Sequence, residues 1–491
     1  MAQIQKKRIY IVGAGFAGKS IALEIQKKEI IGDAVAFLDD DPEKIGKRIL
    51  NIPVLGPIED VVSLLERTPA DEALIAIPSA TREQLKDIYR KLKSGGFAKI
   101  RILPNLSDIV DGTAHFIQTR EIDSQDILGR TPRAIDLKKN ISYIRGKRVL
   151  ITGAGGSIGS ELCRQLLAGG AERLYLFGHG ENSIYEINSE LKILQEEGVG
   201  ERATIVPIIG ELKDKNYVEF ILKRLRADII FHAAAYKHVP MSEENPVETI
   251  KNNVFGTHFL VEAAKKAGVR KFVLISTDKT VEPVNIYGAS KKICEEIVSA
   301  GSAEEVEFMV VRFGNVLGSR GSIVPLFKRQ IQKGGPVTVT HPEAERFFMT
   351  IPEAVSLVLT AGGMGKNGGL YLLDMGRAIK MRELAQTMIR FYGFEPETEI
   401  PLQYIGLRPG EKISEQLHSR GEQISKTGVP RINKITREQE TGYVRDLIRS
   451  LEPVCFLDPE QPGLYRNRWK IREIIRSRIP TLEPREHETE Y

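Results

Sequence analysis

Residues 148–162 read Arg-Val-Leu-Ile-Thr-Gly-Ala-Gly-Gly-Ser-Ile-Gly-Ser-Glu-Leu. A short apolar run ends in Thr152, glycines follow at 153, 156 and 159, and the next dozen residues carry apolar side chains at helical spacing. The pattern predicts a buried strand, a tight turn and a helix. Glycines at these positions let backbone N–H groups approach a pyrophosphate closely, at the positively polarised start of the helix. Gly153, Gly156, Ser157, Ile158 and Gly159 are therefore the expected phosphate cradle.

Outward from this turn, apolar strands are expected at 173–178, 204–210, 227–235, 271–277 and 307–316, with helical stretches between them. Strands alternating with helices indicate a parallel sheet covered on both faces. Towards the N-terminus, residues 8–28 (RIYIVGAGFAGKSIALEIQKK) repeat the strand, glycine turn and helix, and residues 35–103 continue the alternation. The fold class expected is α/β, with two Rossmann-like, doubly wound parallel-sheet domains. The second carries a smaller, mostly helical substrate-binding lid after Pro325. The boundaries expected are 1–105 for the N-terminal domain, 106–146 for a connector, 147–430 for the larger domain with its lid, and 431–491 for a helical tail with a frayed end.

Composition narrows the class. With 491 residues, 42% of them hydrophobic, the chain can bury two or three cores. No apolar run approaches the ~18 residues that span a bilayer. The basic start followed by four apolar residues reads as a first strand and not as a signal peptide. Lys+Arg of 70 against Asp+Glu of 65 gives +5, too weak a bias for nucleic acid or a membrane surface. Cys163, Cys294 and Cys455 are far apart and lack metal-ligand spacing, which suits reduced thiols in a cytoplasmic core. No metal is expected.

The T-G-x-x-G-x-x-G form at 152–159 resembles that of the short-chain dehydrogenases/reductases, which implies a nicotinamide dinucleotide on this turn. The following strand ends Phe177-Gly178-His179-Gly180, without the carboxylate that would repel a 2′-phosphate, so NADP is admissible beside NAD. His179, Asn182 and Ser183 are expected to line that end. Glu211 and Leu212 are expected near the adenine, and Ala233 and Ala234 beside the cofactor. In the N-terminal domain Gly13, Gly15 and Gly18 with Asp39, or its neighbours Asp40 and Asp41, fit a second nucleotide site. They fit equally a domain that only packs or regulates.

Tyr-x-x-x-Lys occurs at Tyr89/Lys93, Tyr143/Lys147 and Tyr287/Lys291. The first falls in a surface-like helix and the second in the connector. Only the third follows a strand ending Ser276-Thr277-Asp278-Lys279, and its spacing puts both side chains on one helix face. A lysine ammonium beside the phenol favours phenolate, which can take a hydroxyl proton as hydride leaves. The triplet Thr277-Asp278-Lys279 adds a second acid/base pair. A ketone at C4 of a sugar acidifies the C5 proton, so Lys279 can remove it while Asp278 protonates the departing 6-hydroxyl. That role demands a lysine that is neutral part of the time.

With these segments in hand, the sequence resembles a known family. TGAGGSIGSEL (152–162), HAAAYKHVPMSEENP (232–246), NNVFGT (252–257), STDKTVEPVNIYGASKK (276–292), RFGNVLGSRGSIVP (312–325), ERFFMT (345–350) and GLRPGEKISEQL (406–417) are similar to segments of the nucleotide-sugar 4,6-dehydratases. These form the polysaccharide-biosynthesis branch of the extended short-chain dehydrogenases. The resemblance runs from DILGR (126–130) to about residue 430, and the N-terminal unit resembles the domain that precedes the catalytic one in larger members. It implies Thr277, Asp278, Lys279, Tyr287 and Lys291 as the catalytic set. It implies Lys237, Glu243, Asn315 and Arg320 at the sugar and diphosphate, and Arg346 with Arg408 as a diphosphate clamp. It also implies a UDP-sugar, UDP-N-acetylglucosamine above others, a tightly bound NAD or NADP regenerated each turnover, and a homo-oligomer. Some larger relatives carry Met where this chain has Tyr287. They also begin with membrane-spanning helices that are absent here, so peripheral membrane association at most is expected.

Overall fold

The structure is a computed structural model, and it describes residues 7–28, 32–77, 80, 82–97, 99–102, 120–121, 141–302, 306–392, 394–438 and 442–488. The connector expected over 106–146 lies outside these residues except for 120–121 and 141–146. DILGR also lies outside them. The chain divides into two compact units. One comprises residues 1–131 with 327–337 and 384–402, and the other 132–326, 338–383 and 403–491.

In the first unit the predicted leading strand is β1 (Arg8–Val12), followed by α1 (Phe16–Lys28), β2 (Asp33–Leu38), β3 (Arg48–Ile49) and β4 (Ile52–Gly56). Then come α2 (Val61–Arg67), β5 (Glu72–Ile75), α3 (Arg82–Ser94), β6 (Lys99–Ile102) and β7 (Arg120–Glu121). The sheet order is β3-β4-β2-β1-β5-β6-β7, with antiparallel strands at its two edges. Apolar clusters lie on both faces, one around Tyr10, Ile75 and Leu92 and the other around Ile11, Ala22 and Leu74. Tyr89 belongs to the first cluster, so the surface-like helix expected there is half core.

The second unit is built on β8 (Arg148–Thr152), α4 (Ser157–Ala168), β9 (Arg173–Gly178), α5 (Glu181–Glu196), β10 (Thr204–Ile209) and α6 (Lys215–Leu225). It continues through β11 (Ile229–His232), α7 (Gly256–Lys266), β12 (Lys271–Thr277), α8 (Ile286–Ala300), β13 (Glu307–Phe313) and β14 (Asn315–Val316). β15 (Glu345–Arg346), β16 (Phe348–Met349), α9 (Ile351–Met364) and β17 (Gly369–Leu373) follow, then β18 (Gln423–Lys426), β19 (Ile432–Thr436), α10 (Tyr443–Cys455) and α11 (Arg468–Arg476). The main sheet runs β10-β9-β8-β11-β12-β13-β17-β19-β18, with the first seven strands parallel, β19 antiparallel to them and β18 antiparallel to β19. Its strands are near-continuous apolar runs because helices cover both faces. The order reverses between β8 and β11, and that is where a doubly wound sheet opens a crevice at its carboxyl ends.

Two expectations are corrected. Within the stretch expected to form a lid, α9 and β17 complete the sheet and one of its faces. The tail likewise supplies β19 to the sheet and packs α10 and α11 into the opposite core, where Ile471, Ile475 and Leu482 are buried. Its end is tied down, with Glu488 paired to Arg472 and Thr481 donating to Pro283 O, so residues 479–488 are not frayed. No described helix is long and apolar enough to cross a membrane. The three cysteines are unpaired and buried.

Candidate active site

The sheet brings four strand ends side by side. Thr152 pairs with His232 across β8 and β11, His232 with Leu274 across β11 and β12, and Thr277 with Phe313 across β12 and β13. In order, these ends carry the glycine turn, Ala233–Ala234, Thr277–Lys279 and Asn315.

The glycine turn fits a dinucleotide. Gly153 has φ +68°, and a Cβ there would fall 2.8 Å from the backbone of Ala234. A Cβ at Gly159 would fall 2.0 Å from Gly153 O. Only glycine permits so tight a turn, and it leaves the first N–H groups of α4 without a side-chain cap, free for an anion. Ser157 Oγ accepts from Arg320 N, and Ile158 packs on the core. Ser183 lies under the turn, where a Cβ on Gly155 would strike it. His179 and Asn182 are exposed, with His179 edge-on to Tyr236. Glu211 is exposed and pairs with Lys213, while Leu212 is buried against Gly256.

In the first unit the expected second cradle has one turn N–H bonded to its own chain. Gly13 has φ +100°, and a Cβ on Gly18 would meet Gly13 O at 1.9 Å, so the turn is equally tight. Gly15 faces open space. Asp39, however, accepts from Ala14 N at 2.7 Å and from Asp41 N at 3.0 Å, with Lys44 at 3.3 Å. The carboxylate expected on a ribose thus braces the turn.

The catalytic segment is held from several sides. Thr277 ends β12, and its hydroxyl bonds to Asp278 Oδ1 at 3.0 Å. Lys279 Nζ lies 3.1 Å from the same oxygen, 3.1 Å from Asn315 Oδ1 and 3.6 Å from Glu415 Oε1. Asp278 is fully buried, and its Oδ2 has no hydrogen-bond partner among the described residues. α8 approaches because position 288 is glycine: a Cβ there would fall 2.2 Å from Lys279 O. Asn285 caps this helix by accepting from Gly288 N, which fixes Tyr287 in its first turn, hydrogen-bonded to Thr277. Beneath, Glu295 accepts from Ser276 Oγ at 2.6 Å and Thr280 Oγ1 at 3.1 Å, gripping both flanks of the triplet. Asn253 ties the loop at Tyr236 to Ser290 of α8.

Electrostatics departs from expectation at two residues. Burial pushes the Tyr287 phenol up to about 12, while the Lys279 charge and the Thr277 hydrogen bond pull the other way. The Lys279 cation thus favours the phenolate, and the Asp278 carboxylate works against it. Burial lowers Lys291. Burial also works against charge on Lys279, but the carboxylates of Asp278 and Glu415 outweigh it and hold the ammonium above the usual lysine range. In this state Lys279 is not the neutral amine that the sequence reading demanded.

The residues expected at the sugar and diphosphate divide. Asn315 stands at Lys279 as described. Lys237 Nζ lies 3.4 Å from Ser319 Oγ. Arg320 turns to the other side, donating to Gly155 O and pairing with Glu186, because the loop after β14 passes over the glycine turn. Glu243 is buried, and its carboxylate accepts from Ile286 N at 2.7 Å and pairs with Arg472 and Arg485. It buttresses α8 instead of meeting a sugar. Arg346 donates to the carbonyls of Glu345, Lys412 and Ile413, and Arg408, half exposed, donates to Glu411. Of the other Tyr-x-x-x-Lys pairs, Tyr143 donates to Leu359 O inside the core. Glu415, Glu295 and Asn253 were not singled out in the sequence. All three lie far from the triplet or on the hidden side of a helix, and no spacing rule announces them.

Comparison with known proteins accords with this geometry. Residues 149–437 match the family model described as polysaccharide biosynthesis protein, and residues 2–104 match one described as a CoA-binding domain. The probable polysaccharide biosynthesis protein EpsC of Bacillus subtilis is 41% identical over 430 residues, 87% of this chain and 71% of that protein. A UDP-N-acetylglucosamine 4,6-dehydratase (inverting) of Campylobacter jejuni is 32% identical, covering 55% of this chain and 77% of its own. A UDP-glucose 4-epimerase of Rickettsia canadensis is 30% identical, covering 64% and 89%. Among solved structures, Pen from Bacillus thuringiensis is 31% identical with a TM-score of 0.54, covering 62% of this chain and 99% of that one. A sheet ordered as above, a glycine turn at its switch point and a match over residues 149–437 lead to one conclusion: the chain belongs to the polysaccharide biosynthesis protein family.

Proposed function

We propose that this chain is a nucleotide-sugar 4,6-dehydratase, taking UDP-N-acetylglucosamine to its 4-keto-6-deoxy product for cell-surface polysaccharide. The observation that carries the reading is the Asp278–Lys279 pair at the end of β12 beside Tyr287, with Asp278 fully buried and its Oδ2 without a hydrogen-bond partner among the described residues. A 4-epimerase must only remove and return hydride at C4. It has no use for a second acid/base couple.

Gly153, Gly156, Ser157, Ile158 and Gly159 would hold the dinucleotide, whose nicotinamide supplies a hydride acceptor and donor. The end of β9 carries no carboxylate, so NADP as well as NAD suits that pocket. Tyr287 takes the proton of the 4-hydroxyl, and the Thr277 hydroxyl supports the developing phenolate. Lys279 removes the C5 proton, made acidic by the neighbouring ketone. Asp278 takes the ammonium proton of Lys279 across their 3.1 Å contact, which frees the amine to act, and delivers that proton to the departing 6-hydroxyl. Asn315 holds Nζ in place.

Incubation with UDP-N-acetylglucosamine and product analysis by NMR test this. The wild type should yield a methyl-bearing 4-ketose. Lys279→Ala should still bind nicotinamide but lose water some 10²–10⁴-fold more slowly, the usual worth of a positioned acid or base. Normal turnover by that variant would remove the assignment, and a product retaining its 6-hydroxyl would favour epimerisation.

A further inference from the structure

Buried carboxylates in this unit fall into two kinds. Glu295 gathers Ser276, Thr280, Arg312 and Arg437, and Glu243 gathers Ile286 N, Arg472 and Arg485. Such donor sets explain why those groups are buried. Glu415 differs. It is 8% exposed, its Oε2 is buried with no hydrogen-bond partner among the described residues, and the one ion pair it makes there is to Lys279, at 3.6 Å. A carboxylate held out of water with half its acceptors empty is not there to knit the fold. Lys279 is the group that accounts for it.

We infer that Glu415 is a positioning residue for Lys279: with Asp278 and Asn315 it fixes Nζ, and it governs when that amine is free to take the C5 proton. The inference rests on the dehydration reading above and adds to it. The charged and titratable groups that bear on Nζ are Asp278, Glu415, Arg346 and Tyr287. Two of them are anions that stabilise the ammonium, and the Arg346 cation opposes them. Removing the Glu415 charge leaves a single carboxylate against Arg346, so the amine frees its proton at lower pH and becomes a weaker base. A purely structural carboxylate would leave that pH dependence where it was.

The test follows deuterium uptake at C5 of UDP-N-acetylglucosamine in D₂O as a function of pD, with reduction of the nicotinamide measured in the same samples. Wild type, Glu415→Gln, Glu415→Asp and Lys279→Ala are compared as intact chains. The expected result for Glu415→Gln is a midpoint of uptake lower by about one unit or more and a plateau down about tenfold, with nicotinamide reduction within about threefold of wild type. Glu415→Asp should recover part of both changes. An unmoved midpoint, or uptake and reduction falling together by one factor, overturns the inference. If Glu415→Gln does not fold, Glu415→Asp decides: a smaller shift in the same direction supports the role, and none refutes it. Lys279→Ala separates the two levels. Uptake retained there refutes the base itself and Glu415's part with it, whereas uptake lost there but unchanged in Glu415→Gln refutes Glu415 alone.

Discussion

Tyr287 and Lys279 illustrate what a single residue can and cannot disclose. The motif Tyr-x-x-x-Lys occurs three times, and the strand before Tyr287 singles out the copy that the fold sets beside Thr277 at the end of β12. The electrostatics was not legible, because it depends on groups remote in sequence, Glu415 above all. With its phenol pushed up to about 12, Tyr287 is mostly protonated at neutral pH. Its proton-accepting form therefore grows as pH rises, and kcat/KM should climb through the neutral range. Tyr287→Phe should remove the phenol's share of that slope, leaving the part that belongs to Lys279, and cost about 10²–10⁴ in turnover. A pH–rate profile of both proteins checks this, and a wild-type profile flat from neutral into alkaline pH would contradict it.

At the scale of elements, the site depends on how closely α8 approaches the end of β12. Gly288 sets that distance, since any side chain there meets the Lys279 carbonyl. Gly288→Ala should lower turnover at least ~10²-fold and destabilise by roughly 1–3 kcal/mol, as overpacked sites do. Turnover and denaturant unfolding measured together check it, and wild-type values for both would show that the helix can yield. The parallel strands and glycine turns were readable because buried strands are continuous apolar runs with turn chemistry at their ends. β17 and β19 were not. They are five residues each, and β19 carries Asn433 and Lys434 at positions a buried strand would fill with apolar side chains.

The larger unit as a whole is closed by charge as well as by apolar packing. Arg312 and Arg437 lie buried among Glu295, Glu296 and Glu422, joining β13 and the segment after β19 to α8. At the other end Arg472 of α11 compensates Glu243 behind Tyr287. Arg472→Met should therefore leave a buried carboxylate underpaired and cost about 3–5 kcal/mol, read from urea unfolding. Loss well under 1 kcal/mol would mean that Arg485 suffices.

Acid should weaken the same unit. His232, buried between the hydroxyls of Thr152 and Thr257, is held down to about 3 by burial and by the Lys291 charge, against an ordinary 6.5. The unfolded chain thus binds its proton more readily between those values, and stability rises with pH across that window. Despite its burial, Glu295 is held low by Arg312 and Arg437, and its contribution is likewise lost as pH falls below the ordinary carboxylate range. Unfolding at pH 5 should cost roughly 2 kcal/mol less than at pH 7 from His232 alone, and equal stabilities would contradict that neutral, buried ring.

The route of one hydride tests the central assignment most directly. UDP-N-acetylglucosamine carrying deuterium at C4 is turned over and the product read by NMR. Tyr287, Lys279 and Asp278 acting in sequence predict that the label leaves C4 and reappears in the new methyl group at C6. Label returned to C4, on a sugar that keeps its 6-hydroxyl, would contradict the account.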